Sequence, residues 1–271
     1  MTTTLESMQS RYHLTPDQIR QFGHEGFLKL SSVLDPDALR FYEKEITAKV
    51  KELNTQHLPL EERDSYGKAF LQVANLWQHS EVARQFVFSE RLAGIAADLL
   101  GVRGVRLYHD QALYKEPSGG ITPWHADQYY WPLSSDRTVT VWVPLQETPL
   151  EMGPLSFAKG SQGMEFGRDL PISDESEGKI AVDLAAMDFP TVEEPYQLGD
   201  VSFHTGWTFH RAGPNRSAKP RAVMTVIYMD ADITVTEPTN AYHVSDLNDW
   251  MPGTAPGEVP ASPLNPVLYS A

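Results

Sequence analysis

The stretch Thr138-Val139-Thr140-Val141-Trp142-Val143-Pro144-Leu145 is dense in β-branched residues. Such side chains lose rotamer freedom in a helix and pack well on a pleated surface, so this is the clearest strand in the chain. The same signal recurs around it. Val105 to Lys115 alternates without a helix breaker until Pro117-Ser118-Gly119-Gly120 marks a turn, and Gly153-Pro154-Leu155-Ser156-Phe157 forms a short strand after another turn. Further strands are expected at Asp200 to His204 and at Arg221 to Met229. Short strands at turn-punctuated intervals predict an antiparallel sandwich or barrel, mainly β with N-terminal helices packed against it.

The helices precede Val102. Thr15-Pro16-Asp17-Gln18 has the form of a capping box with proline at the first helical position, and predicts a short helix to about Gly23. A strand through Gly26 to Leu30 follows. Asp35-Pro36 repeats the start signal, and Leu39, Tyr42, Ile46 and Val50 recur at helical spacing to about Leu53. Asn54 to Tyr66 is polar and reads as a loop. Ser80 and Ser89 are N-caps of two more helices, the second closed by Gly101. A single domain is expected, with a helical part at about 15–101, a barrel core at about 102–231 and a Pro-rich tail at about 250–271. That tail should lie extended over the surface or over a neighbouring subunit. Ser173-Asp174-Glu175-Ser176-Glu177-Gly178, within a polar region at about 160–195, reads as an exposed acidic loop.

Charge and composition exclude several chemistries. The formal charge of −14 opposes binding to nucleic acid or anionic membrane. With no cysteine, thiolate metal sites, iron–sulfur clusters and cysteine nucleophiles are ruled out, and any metal must be held by His, Asp or Glu. Met1 to Ser7 lacks the features of a signal peptide, and no run reaches the length of a membrane span. The expectation is a cytoplasmic protein, monomer or homodimer, whose partner is a small-molecule substrate.

Thr122-Pro123-Trp124-His125-Ala126-Asp127 and Phe209-His210-Arg211-Ala212-Gly213-Pro214-Asn215 carry the chemistry. On an extended segment residues i and i+2 point the same way, so His125 and Asp127 converge. A third ligand completes the facial set of two imidazoles and one carboxylate that holds iron(II) with open positions opposite. His204, inside a strand, and His210, between turns, are the alternatives; His210 is preferred.

These motifs, with the Gly-Pro-Leu at Gly153, the Gly-Asp at Gly199 and the His-x4-Asn-x5-Arg from His210 to Arg221, resemble the phytanoyl-CoA dioxygenase family. The resemblance spans roughly Phe22 to Met229. It implies a double-stranded β-helix (jelly roll, cupin-like), iron(II) held by His125, Asp127 and His210, and 2-oxoglutarate and O2 as co-substrates. It further implies Arg221 as partner of the distal carboxylate of 2-oxoglutarate, for which a guanidinium has matching bidentate geometry. Arg211 and Arg216 lie nearer the turn. Thr122 resembles the family's hydroxyl contact to the oxo-acid, Asp110, Tyr114 and Trp142 are expected pocket residues, and a contact from Lys115 stays open. The run Tyr129-Tyr130-Trp131 is expected to wall the substrate. Related iron halogenases have a small apolar residue where Asp127 stands, so oxidation of a C–H bond is expected rather than halogenation. The expected reaction hydroxylates or otherwise oxidises a small specialised metabolite, releasing succinate and CO2. The competing expectations are a cupin-like iron enzyme that does not use 2-oxoglutarate and a non-catalytic jelly-roll binding module.

Overall fold

The computed structural model describes residues 8–271; the segment Met1 to Ser7 lies outside the described residues. In chain order the elements are α1 (Pro16–Glu25), β1 (Phe27–Leu30), α2 (Pro36–Leu53), α3 (Ser65–Ala69), β2 (Leu71–Ala74), α4 (Glu81–Val87), α5 (Glu90–Leu100), β3 (Gly104–Lys115) and β4 (Thr122–His125). Then follow β5 (Thr138–Pro144), β6 (Leu155–Ala158), α6 (Asp174–Ala186), β7 (Thr191–Glu193), β8 (Val201–Thr205), β9 (His210–Ala212), β10 (Arg221–Asp230), α7 (Ala241–Trp250) and β11 (Val267–Ser270). The sequence start signals work as expected. Thr15 and Gln18 exchange the two hydrogen bonds of a capping box, and Asp35, Ser80 and Ser89 each accept from a first-turn backbone N–H.

Two antiparallel sheets face each other as a jelly roll. The larger runs β1-β8-β5-β10-β3-β11 with β2 added on β3, and the smaller runs β4-β9-β6-β7. Helices α2, α4 and α5 cover the outer face of the larger sheet. Leu39, Tyr42, Ile46 and Val50 of α2 are fully buried there, in one apolar cluster with Val141, Val226 and Tyr228 among others. Each large apolar side chain so placed contributes about 1.5–3 kcal/mol, far more than the tenths of a kcal/mol by which helix propensities differ. Every residue of β10 is buried because helices cover one of its faces and the smaller sheet the other.

A β-bulge decides which side chains of β3 reach the interior between the sheets. The β3–β10 register shifts between Ile227 and Tyr228, leaving Tyr108 as the extra residue. Val105 and Leu107 before it pack under the helices, as do Ala112 and Tyr114 after it, so the parity inverts across the bulge. His109, Gln111 and Leu113 consequently face the interior. The sequence expectation of Tyr114 as a cofactor contact is therefore corrected: its hydroxyl meets Thr47 Oγ1 of α2 at 2.8 Å. Asp110 also turns outward, where it accepts from Leu76 N–H at 3.0 Å.

Three other expectations change. The Pro-rich tail returns to the sheet as β11, and buried Asn265 donates to the Leu107 and Tyr108 carbonyls at 3.1 and 3.3 Å, filling the gap that the bulge opens. The stretch at 173–178 is the start of helix α6. Ser173 and Ser176 cap it, and Ile180 and Leu184 pack on Trp124 and Phe209 of the smaller sheet. The expected loop at 54–66 holds one turn of 3-10 helix, Leu60–Glu62, and the beginning of α3.

Candidate metal centre

The two histidines, eighty-odd positions apart in the chain, are cross-strand neighbours. His125 ends β4 directly opposite His210, which begins β9, and the rings lie 4.2 Å apart between centroids. The β4–β9 register is irregular between Thr122 and His125, where Pro123 has no N–H to give the ladder. Its freed carbonyl accepts from His125 Nδ1 at 2.7 Å, while the Trp124 N–H is taken by Glu177 Oε2 of α6 at 2.8 Å. His210 Nδ1 likewise faces the Thr208 carbonyl at 3.0 Å. A carbonyl only accepts, so both imidazoles carry their proton on Nδ1 and turn a bare Nε2 lone pair inward.

Asp127 opens a turn of 3-10 helix, Asp127–Tyr130, that follows directly on β4. Gln128 N–H donates to the Gly206 carbonyl at 2.9 Å, and Thr138 Oγ1 donates to the Gln128 side chain at 2.6 Å, fixing the turn. Gly206 is required there, since a Cβ would stand 2.4 Å from Gln128 Oε1. Asp127 Oδ1 lies 3.6 Å from His125 Nε2 and 3.7 Å from His210 Nε2. Its other oxygen accepts from Thr140 Oγ1 at 3.1 Å and from His204 Nε2 at 3.3 Å. Thr140 and His204 are themselves cross-strand partners on β5 and β8. His204, the alternative third ligand, thus braces the carboxylate, and His210 takes the place facing Asp127 Oδ1.

Electrostatics match a cation. Burial, then the proximity of His210, pulls His125 down to about 4, and burial with His204 does the same to His210, so both rings are neutral near pH 7. Burial alone opposes charge on Asp127, but His210 and the His204 hydrogen bond outweigh it and hold the carboxyl well below the usual range. Two neutral imidazole lone pairs and a carboxylate oxygen within 4.8 Å of one another satisfy nothing in the protein. That donor set fits a divalent ion. Among the described residues, His125, Asp127 and His210 form the one group able to hold a metal through three such side chains.

A cavity of about 530 Å³ opens beside the triad. Arg221 closes one end, buried opposite Lys115 on β3, with its guanidinium over Trp142 at 5.5 Å. One Nη donates to the Gly153 carbonyl, whereas Nε is buried with no partner. Burial draws Arg221 down to about 10, so it stays cationic, and its orphan N–H fits the carboxylate of a dicarboxylic co-substrate. Thr122 and Trp142 line the same end. Lys115 is held behind them. Its Nζ donates to the Gly120 and Gly213 carbonyls at 2.7 and 2.8 Å and lies 3.4 Å from Thr122 Oγ1. Asn215 donates to the carbonyls of Lys115, Glu116 and Lys219, tying the β9–β10 loop to β3 and so placing Arg221. At the other end Tyr130 and Trp131 line the cavity. Tyr129 is set behind, packed edge-on against Tyr130 and Tyr242 at 5.0 and 5.7 Å, which corrects its expected place in the wall.

Sequence reasoning missed His109, Asp246, Tyr242 and Trp250, all of which line the cavity. His109 had a signal in the alternation of β3, masked by the bulge, whereas the α7 residues carry none without knowing where that helix docks.

A jelly roll with a metal-ready His-x-Asp…His triad and a buried arginine at the end of the cavity defines the non-haem iron oxygenases that use 2-oxoglutarate. The phytanoyl-CoA dioxygenase (PhyH) family matches residues 22–223, and this chain belongs to that family. It is a 2-oxoglutarate-dependent dioxygenase, working with iron(II), 2-oxoglutarate and O2. The probable alpha-ketoglutarate-dependent hypophosphite dioxygenase of Stutzerimonas stutzeri is 27% identical over 175 residues, covering 61% of this chain and 59% of that protein. Among solved structures, the non-heme alpha ketoglutarate dependent carbocyclase SnoK from nogalamycin biosynthesis is 26% identical, covers 97% of this chain and 98% of its own, and superposes with a TM-score of 0.76. The epimerase SnoN, solved with Fe3+, alpha ketoglutarate and nogalamycin RO, is 24% identical over 99% of this chain and 100% of its own, with a TM-score of 0.72.

Proposed function

We propose that this dioxygenase oxidises a C–H bond of a ring-containing specialised metabolite, with iron(II) on His125, Asp127 and His210 and 2-oxoglutarate anchored on Arg221. The observation that carries the ligand assignment is the engagement of both Nδ1 atoms by carbonyls, which leaves both Nε2 lone pairs and Asp127 Oδ1 turned on one point. The likeness in fold to two enzymes of nogalamycin biosynthesis supports a specialised-metabolite substrate. The aromatic walls supplied by Tyr130 and Trp131 support a ring system. No helix among the described residues is long and apolar enough to cross a membrane.

The bound iron and oxo-acid supply the oxidative chemistry, in which O2 and 2-oxoglutarate give succinate and CO2 as the substrate is oxidised. The chain's residues bind, orient and exclude water. His125 and His210 offer neutral nitrogen donors without first losing a proton. Asp127 supplies the negative charge, steadied by Thr140 and His204. Because that carboxylate fills the place that a halide needs, oxidation is the outcome rather than halogenation. Arg221 and the Thr122 hydroxyl bind the co-substrate, and Trp142 holds the guanidinium in place as the floor of that end.

Anaerobic addition of iron(II) and 2-oxoglutarate tests this. The expected result is the weak visible charge-transfer band of the chelate, absent in His210→Ala. Arg221→Ala should raise the 2-oxoglutarate concentration required at least tenfold while iron binding stays within about twofold, since loss of a charged hydrogen-bond pair is about 1.5–3 kcal/mol. No band in the wild type, or equal losses for iron and oxo-acid in Arg221→Ala, rejects the assignment.

A further inference from the structure

The cavity has a second polar focus, away from the triad, that the reaction does not use. Helix α7 lies beyond residues 22–223, the part that the family shares. Tyr242, Asp246 and Trp250, spaced by four, form one stripe of that helix, and all three line the cavity. The helix is pinned in place. Thr239 N–H donates to His243 Nδ1 at 3.3 Å, so the His243 proton sits on Nε2 and is donated to the Tyr129 carbonyl at 3.0 Å.

Asp246 is the charged group on this stripe that faces the cavity. Tyr108, the bulge residue of β3, donates to its Oδ2 at 2.6 Å, and the Trp250 side chain gives it a second hydrogen bond. A carboxylate has about four acceptor positions, so two are left for a ligand. Aromatic rings surround it. Trp250 lies over His109 at 4.6 Å, Trp131 packs on Tyr108 at 5.3 Å, and Tyr130 meets Tyr242 edge-on at 5.1 Å at the mouth. Among the described residues lining the cavity, Arg221 is the one lysine or arginine, and the co-substrate takes it. His109, which burial draws down to about 4, adds no positive charge. An anionic substrate therefore meets no lysine or arginine left free to pair with it, whereas the formal charge of −14 draws cations in.

We infer that α7 is the substrate-recognition element and that Asp246, within its aromatic surround, binds a protonated amine carried on the substrate's ring system. A carboxylate set among aromatic side chains, here hydrogen-bonded by Tyr108 and Trp250, favours a substituted ammonium over a neutral or anionic group. Burial pushes the empty Asp246 carboxyl up to about 7, and a bound ammonium restores its ionised form. The inference rests on the function proposed above, since it assumes Arg221 is occupied by 2-oxoglutarate.

The test uses three probes of one ring shape at pH 8: 9-aminoacridine as cation, acridine as neutral form and 9-anthracenecarboxylate as anion. Each is titrated by calorimetry into enzyme loaded anaerobically with iron(II) and 2-oxoglutarate, with the chelate band recorded beforehand. The expected result is at least tenfold tighter binding of the cation than of either other probe. Asp246→Asn keeps an oxygen for the Tyr108 hydroxyl and should reduce the preference to below threefold without changing the band. Equal affinities, preference for the anion, no binding of any probe, or an undiminished preference in Asp246→Asn overturns the inference. The wild-type charge series stands even where the variant fails to fold. Absence of the band itself rejects the function proposed above rather than the role of α7.

Discussion

Asp127 divides its two oxygens between tasks, one facing the paired imidazoles and the other held by Thr140 and His204. His204 donates from Nε2 to a carboxylate, and its buried Nδ1 has no partner. An unpaired buried polar atom costs about 1–3 kcal/mol, so this histidine serves the position of Asp127 at the expense of stability. His204→Leu is expected to leave the melting temperature unchanged or raised while weakening iron(II) binding about 10- to 100-fold, the usual cost of losing a group that orients a ligand. His204→Gln, which keeps a donor, should recover most of that loss. Iron titrations beside thermal unfolding separate the two effects, and unchanged iron affinity in His204→Leu refutes the bracing role. Gly153 shows the same economy at the other end of the site. Its φ is +66°, a Cβ there would stand 2.2 Å from the Gly213 carbonyl, and its own carbonyl receives Arg221. Gly153→Ala should therefore lower stability by about 1–3 kcal/mol and weaken 2-oxoglutarate binding more than iron binding in parallel titrations. Equal affinities for both, relative to the native chain, count against a role for Gly153 in placing Arg221.

Helix α6 links the two strands that carry the histidines. Glu177 accepts from the Trp124 backbone on β4 with one oxygen and pairs with Arg211 on β9 with the other, so one carboxylate clamps both. Removing it leaves the Trp124 N–H at the bulge without an acceptor. Glu177→Ala is expected to lower stability by about 2 kcal/mol, as for loss of a charged hydrogen bond, and to weaken iron about tenfold; chemical denaturation and iron titration measure the two. An unchanged iron affinity shows that β4 and β9 hold their register unaided. This clamp was illegible in the sequence because Ser173 to Gly178 is almost wholly polar and just two apolar residues, Ile180 and Leu184, turn inward over the rest of the helix. The longer strands β3, β5, β8 and β10, with β6, and the capped N-terminal helices were legible, because their signals are local: β-branched runs, Thr15 and Asp35 caps, Gly101 at a helix end; the short strands β4, β7 and β9 were not. His125, Asp127 and His210 were marked by spacing and flanking turns, and the fold brings them together. Two β-bulges account for most of what was hidden. The one at Tyr108 inverts parity and sends Tyr114 outward, and the one at Pro123 frees the carbonyl that orients His125. Period-two reading runs straight through a bulge, since one extra residue leaves no mark on composition. Likewise, nothing local in Asn265 announces that it will fill the first of them.

Across the whole molecule, the titrating groups of the interior pull stability in opposite directions as pH falls. His109, His125 and His210 have folded values near 4, below their ordinary 6.5, so between pH 6.5 and 4 the unfolded chain binds protons that the folded one refuses. Stability from these three falls as pH drops through that window, each by up to about 1.4 kcal/mol per pH unit. Asp110 and Asp246, which burial raises to about 7, do the reverse, because between pH 7 and 3.8 the folded state binds protons that the unfolded chain does not. Lys115, drawn down to about 6 by burial and by Arg221, loses its contribution between pH 10.5 and 6 and adds no slope below. The iron-free protein should therefore show a shallow net decline between pH 6.5 and 4, about one group's worth. Metal affinity separates the histidines from this cancellation, because iron competes only with protons on its own ligands. With ordinary histidines, two protons would have to leave at pH 5.5, weakening binding about 100-fold relative to neutral pH. With both rings already neutral down to about 4, iron(II) affinity should change less than about threefold between pH 7.5 and 5.5 and fall steeply only as pH approaches 4. Anaerobic iron(II) titrations across that range measure it, and a fall of tenfold or more by pH 5.5 would show that the folded protein does not hold its ligand imidazoles neutral in advance of the metal.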